Sequence, residues 1–376
     1  MPEKLLMTAS TWSHIRSFHL PYLREFQNRG WTTHVGCAGL PEELPACVDR
    51  GMELPFEKTM LAPANFRAAG MLRRQIKSEN YDLIVTHTAL AAFFTRLAVK
   101  GLKKRPKLIN VVHGYLFDDD TPAMKRGILL EAERLTAPET DLLLTMNEWD
   151  HETAKKYRLG KRVGNIPGIG VDFSRLDTAA PEDGAALRRE LDIPADAFVL
   201  IYPAEFSGRK SQRVLIEAMA LLPENAVLVL PGSGALLEEC RALAQRLGLG
   251  RRVLFPGYVA DMAPWYRMAD AAVTASRSEG LPFNVMEAMY CGLPVVASAV
   301  KGHTDLIEDG VNGLLFPYGD ARAFALRARQ TMEDAALRAR CRADAGKRMA
   351  PYRLDAVLPA AMELFGTVHG SAMEKS

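Results

Sequence analysis

No apolar stretch of this 376-residue chain approaches the ~20 residues that cross a bilayer. The opening MPEKLLMTASTW has neither the long apolar centre nor the small-residue cleavage site of a secretory signal, so a cytoplasmic location is the expectation. Cysteine is scarce: Cys37, Cys47, Cys240, Cys291 and Cys341 are odd in number, scattered and never spaced as CxxC, which excludes a disulfide framework and a cysteine zinc site. Net charge is almost missing too. With 47 Lys and Arg against 45 Asp and Glu the total is +2, so the whole chain is neither a strongly basic nucleic-acid binder nor an acidic disordered tail. Low-complexity tracts and short internal repeats are absent. What is present is ordinary: 48% hydrophobic and 24% charged residues, enough for a buried core, in a length that suits two domains.

The neutral total conceals an asymmetry. Up to residue 168 there are 24 Lys and Arg against 19 Asp and Glu; beyond it, 23 against 26. Much of the first excess lies in Arg67, Arg73, Arg74 and Lys77, then in Lys100, Lys103, Lys104, Arg105 and Lys107. Apolar residues such as Phe66, Leu72, Ile76, Phe93, Phe94, Leu97 and Leu102 are interleaved with them. Two readings stand: a basic amphipathic surface for an anionic membrane, or a solvated helix face ending in a basic loop.

Short apolar runs recur at residues 4–9, 32–37, 81–87, 107–113 and 141–146, and again at 198–202, 226–230, 253–255, 270–275 and 294–298. Runs such as DLLLTM and AVLVLPG are apolar throughout, the pattern of strands covered by helices on both faces. Helical stretches separate them, so the fold class is α/β with mostly parallel sheets, in two doubly wound Rossmann-like domains facing across a cleft. Pro and Gly punctuate residues 165–170, which places the domains at 1–168 and 169–350, followed by a terminal helix and tail at 351–376 that packs back on the first domain.

Ligands of such sheets bind outside the carboxyl ends of the strands. The most informative loop there runs Arg277-Ser278-Glu279-Gly280-Leu281-Pro282-Phe283-Asn284-Val285-Met286-Glu287. Gly280 and Pro282 mark entry into a helix, whose amino end suits a diphosphate, while Glu279 and Glu287 offer carboxylates to hydroxyl groups.

The Glu279-to-Glu287 spacing, with the following CGLPVVAS, resembles the signature of retaining glycosyltransferases of family 4, which have the GT-B fold. Further matches are Val112-His113-Gly114, Lys210 in EFSGRKSQRVLIEAM, Pro231-Gly232-Ser233-Gly234, Gly257-Tyr258-Val259-Ala260-Asp261 and Glu308-Asp309-Gly310-Val311-Asn312-Gly313. The segments HIRSFHLPYLREFQNRGWTTHV and HGYLF resemble the bacterial capsule and exopolysaccharide branch.

The resemblance implies a nucleotide-sugar donor, UDP being the expected carrier, and a polyprenyl-diphosphate-linked saccharide acceptor at the inner face of a membrane. It implies catalytic roles for His113, Lys210 and Glu279. Donor contacts are expected from Arg209, Lys210, Tyr258, Glu279, Gly280, Leu281, Phe283, Asn284 and Glu287. By position, His14 at the start of the helix after the first strand reads as facing the cleft for an acceptor contact, and His87 either as lining the acceptor pocket or as capping its strand. No cofactor and no bound metal are expected. The run Asp118-Asp119-Asp120 reads as a solvated turn or part of the acceptor site, and His19 as a packed or surface histidine. Two departures stand out: Glu205 occupies the place of an arginine common in relatives, and Thr8-Ala9-Ser10-Thr11-Trp12-Ser13-His14 replaces their glycine-rich loop. A sugar-nucleotide epimerase or hydrolase of the same fold, and a non-catalytic sugar-nucleotide-binding protein, are the alternative functions.

Overall fold

The computed structural model describes residues 2–369, which form two units. One holds the chain up to Gly170 together with the stretch from Leu354 onward; the other is Val171–Arg353.

The first unit contains β1 (Lys4–Thr11), α1 (Trp12–Phe18), α2 (Leu20–Asn28), β2 (Thr32–Ala38), β3 (Arg50–Glu53), α3 (Pro63–Glu79), β4 (Leu83–His87), α4 (Ala89–Val99), β5 (Lys107–Val111), α5 (Ala123–Thr136), β6 (Leu142–Thr145), α6 (Glu148–Tyr157) and β7 (Val163–Asn165). Its seven strands run parallel in the order β3-β2-β1-β4-β5-β6-β7. The central strands are buried on both faces, which is why they read as unbroken apolar runs. The order reverses between β1 and β4, creating a switch point where the loops after those strands diverge.

Core packing settles much of the basic sequence. Leu72 and Ile76 of α3 and Phe94 of α4 are buried with Leu6, Ile84 and Leu108, and Phe93, Leu97 and Leu102 pack against that cluster. The apolar residues interleaved with the cations are therefore mostly core, while Phe66 stays half exposed. Three of the cations are also committed, Lys100 through its Nζ, which donates to the Leu135 carbonyl at 3.3 Å. Arg105 Nη1 and Nη2 donate to both oxygens of Asp141 at 2.7 and 2.8 Å, and Arg73 Nη1 donates to the carbonyls of Ala98 and Lys100. Burial works against ionisation of Asp141, but bonds from Arg105, Lys161 and the Leu108 amide hold it down to about 2. Arg73, Lys77, Lys103, Lys104 and Lys107 line a basic surface depression at the amino-terminal edge of β4 and β5.

The second unit contains α7 (Pro181–Glu190), β8 (Phe198–Ile201), α8 (Gln212–Met219), β9 (Ala226–Pro231), α9 (Leu237–Arg246), β10 (Val253–Gly257), α10 (Ala263–Met268), β11 (Ala271–Thr274), α11 (Phe283–Tyr290), β12 (Val295–Ser298), β13 (Gly313–Phe316), α12 (Ala321–Glu333) and α13 (Ala335–Met349). Its parallel order is β10-β9-β8-β11-β12-β13, with the reversal between β8 and β11. Tyr202, Phe206, Phe316 and Phe324 are the bulkiest fully buried side chains of its main core cluster. The last helix, α14 (Leu354–His369), belongs to the first unit, where Phe365 lies parallel to Phe26 at 6.2 Å between ring centroids and 6.2 Å from Tyr22. Both unit boundaries fall two or three residues beyond those read from the sequence. Val171 pairs with Arg353, and its amide donates to the Tyr352 carbonyl at 2.8 Å, which draws both segments into the second unit.

Candidate active site

Both switch points carry the residues of interest. In the second unit the loop after β8 delivers Arg209 and Lys210, and the loop after β11 delivers Glu279. The loops are tied together by the Arg277 amide, which donates to the Arg209 carbonyl at 2.8 Å. Below them the Tyr202 hydroxyl donates to the Lys210 carbonyl at 3.1 Å and lies 2.8 Å from Ser276 Oγ. Ser211, in left-handed backbone at φ +51°, turns the chain into α8 immediately after Lys210.

Glu279 is the electrostatic centre. Lys210 Nζ donates to Oε1 at 2.6 Å and Arg209 Nη1 to Oε2 at 2.7 Å. Its side chain is 8% exposed, Lys210 is 12% exposed, and Arg209 is 49% exposed. Burial pushes the Glu279 pKa up, but the charges of Lys210, Arg209 and His303 outweigh that and hold it at about 2. Burial draws Lys210 below the usual lysine value, with the Glu279 charge opposing. His303 sits beneath, fully buried, with Nδ1 2.8 Å from the Ser298 carbonyl, and burial lowers it to about 4. Beside it Gly302 has φ +82°, and a Cβ there would come within 2.7 Å of the Gly280 carbonyl. Only glycine permits that approach.

Glu287 lies one turn into α11. Its Oε1 is paired with Arg175, and its Oε2 accepts from the Tyr266 hydroxyl at 3.0 Å. Asn284 Nδ2 donates to the Pro203 carbonyl at 3.1 Å, which fixes the first turn of α11 against the end of β8. Leu281 is buried, while Gly280 and Phe283 stand in the same turn around Pro282. Beside this turn a pocket of about 320 Å³ is lined by Pro203, Glu205, Gly232, Ser233, Tyr258 and Met262. Gly232, at φ +149°, makes that pocket: a Cβ would stand 2.0 Å from the Ala204 carbonyl. Tyr258 is 77% exposed, so its ring forms the rim.

In the first unit His14 follows β1, while His87 and His113 stand at the ends of β4 and β5. The three lie together with His19, which is fully buried. His19 stacks on His87 with ring centroids 3.7 Å apart, His14 meets His113 edge-on at 4.7 Å, and His87 Nδ1 lies 3.1 Å from His113 Nε2. Gly114 at φ +113° turns the chain away directly after His113. Thr88, at φ +62°, is held in an uncommon backbone conformation after His87 and accepts from the Ser10 amide. Strain of this kind persists where the surroundings over-determine it. Asp118 accepts from Thr121, and Asp119 accepts from Trp149 Nε1 and pairs with Arg126, so the acidic run is a tied turn.

Arg175, Tyr266 and His303 were invisible to sequence reading. Arg175 lies in a short turn 112 residues from its carboxylate, with no periodicity to mark it. Of the two readings of His19, packed or surface, the structure has the packed one: it sits in the turn between α1 and α2 and packs on the other three histidines.

Residues 22–175 match the family description Glycosyltransferase Family 4, and residues 183–348 match Glycosyl transferases group 1. The chain is 35% identical over 335 residues to a glycosyltransferase named EpsD from Bacillus subtilis (strain 168), covering 88% of this chain and 87% of that one. It is 26% identical over 261 residues to UDP-Gal:alpha-D-GlcNAc-diphosphoundecaprenol alpha-1,3-galactosyltransferase of Escherichia coli, covering 67% of each. Anabaena Alr3699/HepE, solved in complex with UDP and glucose, superposes with a TM-score of 0.77 at 21% identity, covering 97% of this chain and all of that one. Two parallel Rossmann-like sheets, cations gathered on Glu279 at one switch point and those matches lead to one conclusion: the chain is a GT-B glycosyltransferase and belongs to family 4.

Proposed function

We propose that the protein is a retaining glycosyltransferase that moves a sugar from a UDP-sugar to a lipid-linked saccharide in bacterial polysaccharide or glycan synthesis. The observation that carries this reading is the buried Glu279 clamped by Lys210 and Arg209 beside the amino end of α11. Cleaving the bond between sugar and diphosphate places negative charge on the leaving group, and cations fixed in advance stabilise it. When the diphosphate arrives, Lys210 and Arg209 turn to it, and Glu279 is released to accept from hydroxyls of the donor sugar. Arg209 thereby takes the role of the arginine missing at Glu205. Protein cations meet the leaving charge, so this step needs no divalent ion at the diphosphate.

Glu287 takes the ribose hydroxyls once Arg175, 55% exposed, swings aside. The base enters the pocket rimmed by Tyr258, where backbone from Pro203 and Gly232 surrounds it. His113 positions the transferred sugar, with His14 and His87 on the acceptor side. On the retaining course the departing diphosphate accepts the proton of the acceptor hydroxyl, so no separate general base is required. UDP in a solved structural neighbour and a diphosphoundecaprenol-linked acceptor in the name of a relative support the donor and acceptor classes.

No helix among the described residues is long and apolar enough to cross a membrane. The protein reaches its lipid-linked acceptor as a peripheral protein; exposed Phe66 and Met124 stand in the first turns of α3 and α5, toward the carboxyl ends of the strands, while Lys77, Lys103, Lys104 and Lys107 offer a separate basic surface at the amino ends. The deciding experiment is transfer from a panel of UDP-sugars to a polyprenyl-diphosphate saccharide. Wild type should transfer with retention, while Lys210→Ala and Glu287→Ala should fold and fail. Full activity in both variants sinks the donor site, and turnover of the UDP-sugar without an acceptor identifies an epimerase or hydrolase instead.

A further inference from the structure

We propose that His14, His19 and His113 form a binding site for one late first-row divalent transition ion, Zn2+ being the best match, with His87 as the residue that positions them. One ring nitrogen from each of the three lies within 4.8 Å of the others, the one such grouping of three or more histidine, cysteine or carboxylate ligands among the described residues. Three convergent imidazoles are a ligand set for Zn2+, Co2+, Ni2+ or Cu2+ and a poor one for Mg2+ or Ca2+, which take oxygen ligands.

A second observation is independent of that spacing. Four buried ring nitrogens here, Nε2 of His14, both nitrogens of His19 and Nε2 of His87, have no hydrogen-bond partner. His19 is 0% exposed, so bulk water does not reach it. Buried polar atoms are normally paired, and an orphaned group calls for a specific partner such as an ion.

His87 is not among the three, but it is placed to orient them: it stacks on His19 and bonds through Nδ1 to His113. Contacts of that kind fix ring orientation and tune ligands. Three protein nitrogens around a tetrahedral ion leave a fourth position, the arrangement of zinc sites that keep an exchangeable ligand. With no carboxylate in the set the ion keeps its double positive charge, which favours an anionic oxygen, hydroxide or a phosphate oxygen, in that position. The site is built from first-unit histidines that the proposed function turns toward the sugar and the acceptor; its test reads ion uptake alone, so its failure and the failure of that reading are distinguishable.

The full chain, stripped with chelator, is titrated with Co2+ alone and then with competing Zn2+. Expected is one equivalent per chain with the visible d–d absorption of a nitrogen-ligated, near-tetrahedral ion, displaced by Zn2+. His14→Gln/His19→Gln should lose that equivalent, and His87→Gln should bind roughly ten- to a hundredfold more weakly. His151→Gln should behave as wild type. Circular dichroism reports whether each variant folds. Failure of the stripped wild type to take up one equivalent overturns the proposal whatever the variants do. So does a sulfur-to-cobalt charge-transfer band, which would place the ion on the cysteines, or undiminished uptake by the folded double variant.

Discussion

Replacing Glu279 by Gln keeps the shape of the side chain and removes the charge between two cations. Arg209, 49% exposed, can swing its guanidinium into water; Lys210, 12% exposed, cannot. The ligand-free variant therefore buries an ammonium without a counter-ion. The cost follows from two directions. Glu279 is held at about 2 against an ordinary 4.5, and at 1.36 kcal/mol per unit the shift corresponds to about 3 kcal/mol. Breaking a buried pair by removing one partner costs about 3–5 kcal/mol, with the lower end fitting a site where Arg209 is free to relax. Glu279→Gln should thus destabilise the second unit by about 3 kcal/mol at pH 7. The pH dependence has a definite sign: a carboxyl with a depressed folded pKa contributes stability above its unfolded value and loses it as pH falls from 4.5 towards 2. Wild type should show that acid limb and the variant should lack it, so their stabilities converge on acidification. Urea titrations read by pulse proteolysis, with peptides of the second unit resolved by mass, measure both. Equal stability at pH 7, or parallel acid limbs, would refute the assignment of Glu279 as the clamped charge.

Gly232→Ala should weaken UDP binding at least tenfold by calorimetry, because its Cβ would displace the Ala204 carbonyl at the pocket wall; an unchanged Kd removes the base from that pocket. Glu133→Gln should cost about 3–5 kcal/mol in thermal unfolding, since it strands the fully buried Arg96 guanidinium that it meets at 2.8 Å. A loss below 1 kcal/mol would show that Arg96 is neutralised elsewhere. Charge reversal at Lys103, Lys104 and Lys107 should lower affinity for anionic vesicles by more than a hundredfold in flotation, at about 1 kcal/mol for each lysine, and neutral vesicles should be indifferent. Unaltered flotation reduces the basic depression to a solvated edge.

Apart from β10, an outer strand that still carries the short apolar run at 253–255, the strands legible in this sequence are those buried on both faces. The RGME of β3 and the VGN of β7 escaped notice because each is the outer strand of its sheet, partly exposed and free of the need for a continuous apolar run. β13, GLLF, carries no strand signal of its own because it follows directly on a glycine motif, although it pairs along its length with β12. At the site, chemistry carried by neighbours in sequence was legible: Glu279 and Glu287 share a loop and helix, and Lys210 follows its strand. What was not legible depends on contacts across the fold. Arg175 reaches Glu287 from a turn with no pattern of its own, and His303 lies beneath Glu279 from another strand's loop. The gathering of four histidines needs the strand order itself, because only the reversal between β1 and β4 brings the ends of both beside that of β5.

The chain enters the second unit at Val171 and leaves it at Arg353, and only then supplies the helix that covers Phe26 and Tyr22. During synthesis the residues of the second unit are therefore made before the first has its last helix. Its folding is a late event, completed after the ribosome has emitted α14, and a chain stopped at Arg353 would leave that apolar face bare. Chaperone demand should concentrate on the earlier-made half, the reverse of simple amino-to-carboxyl order.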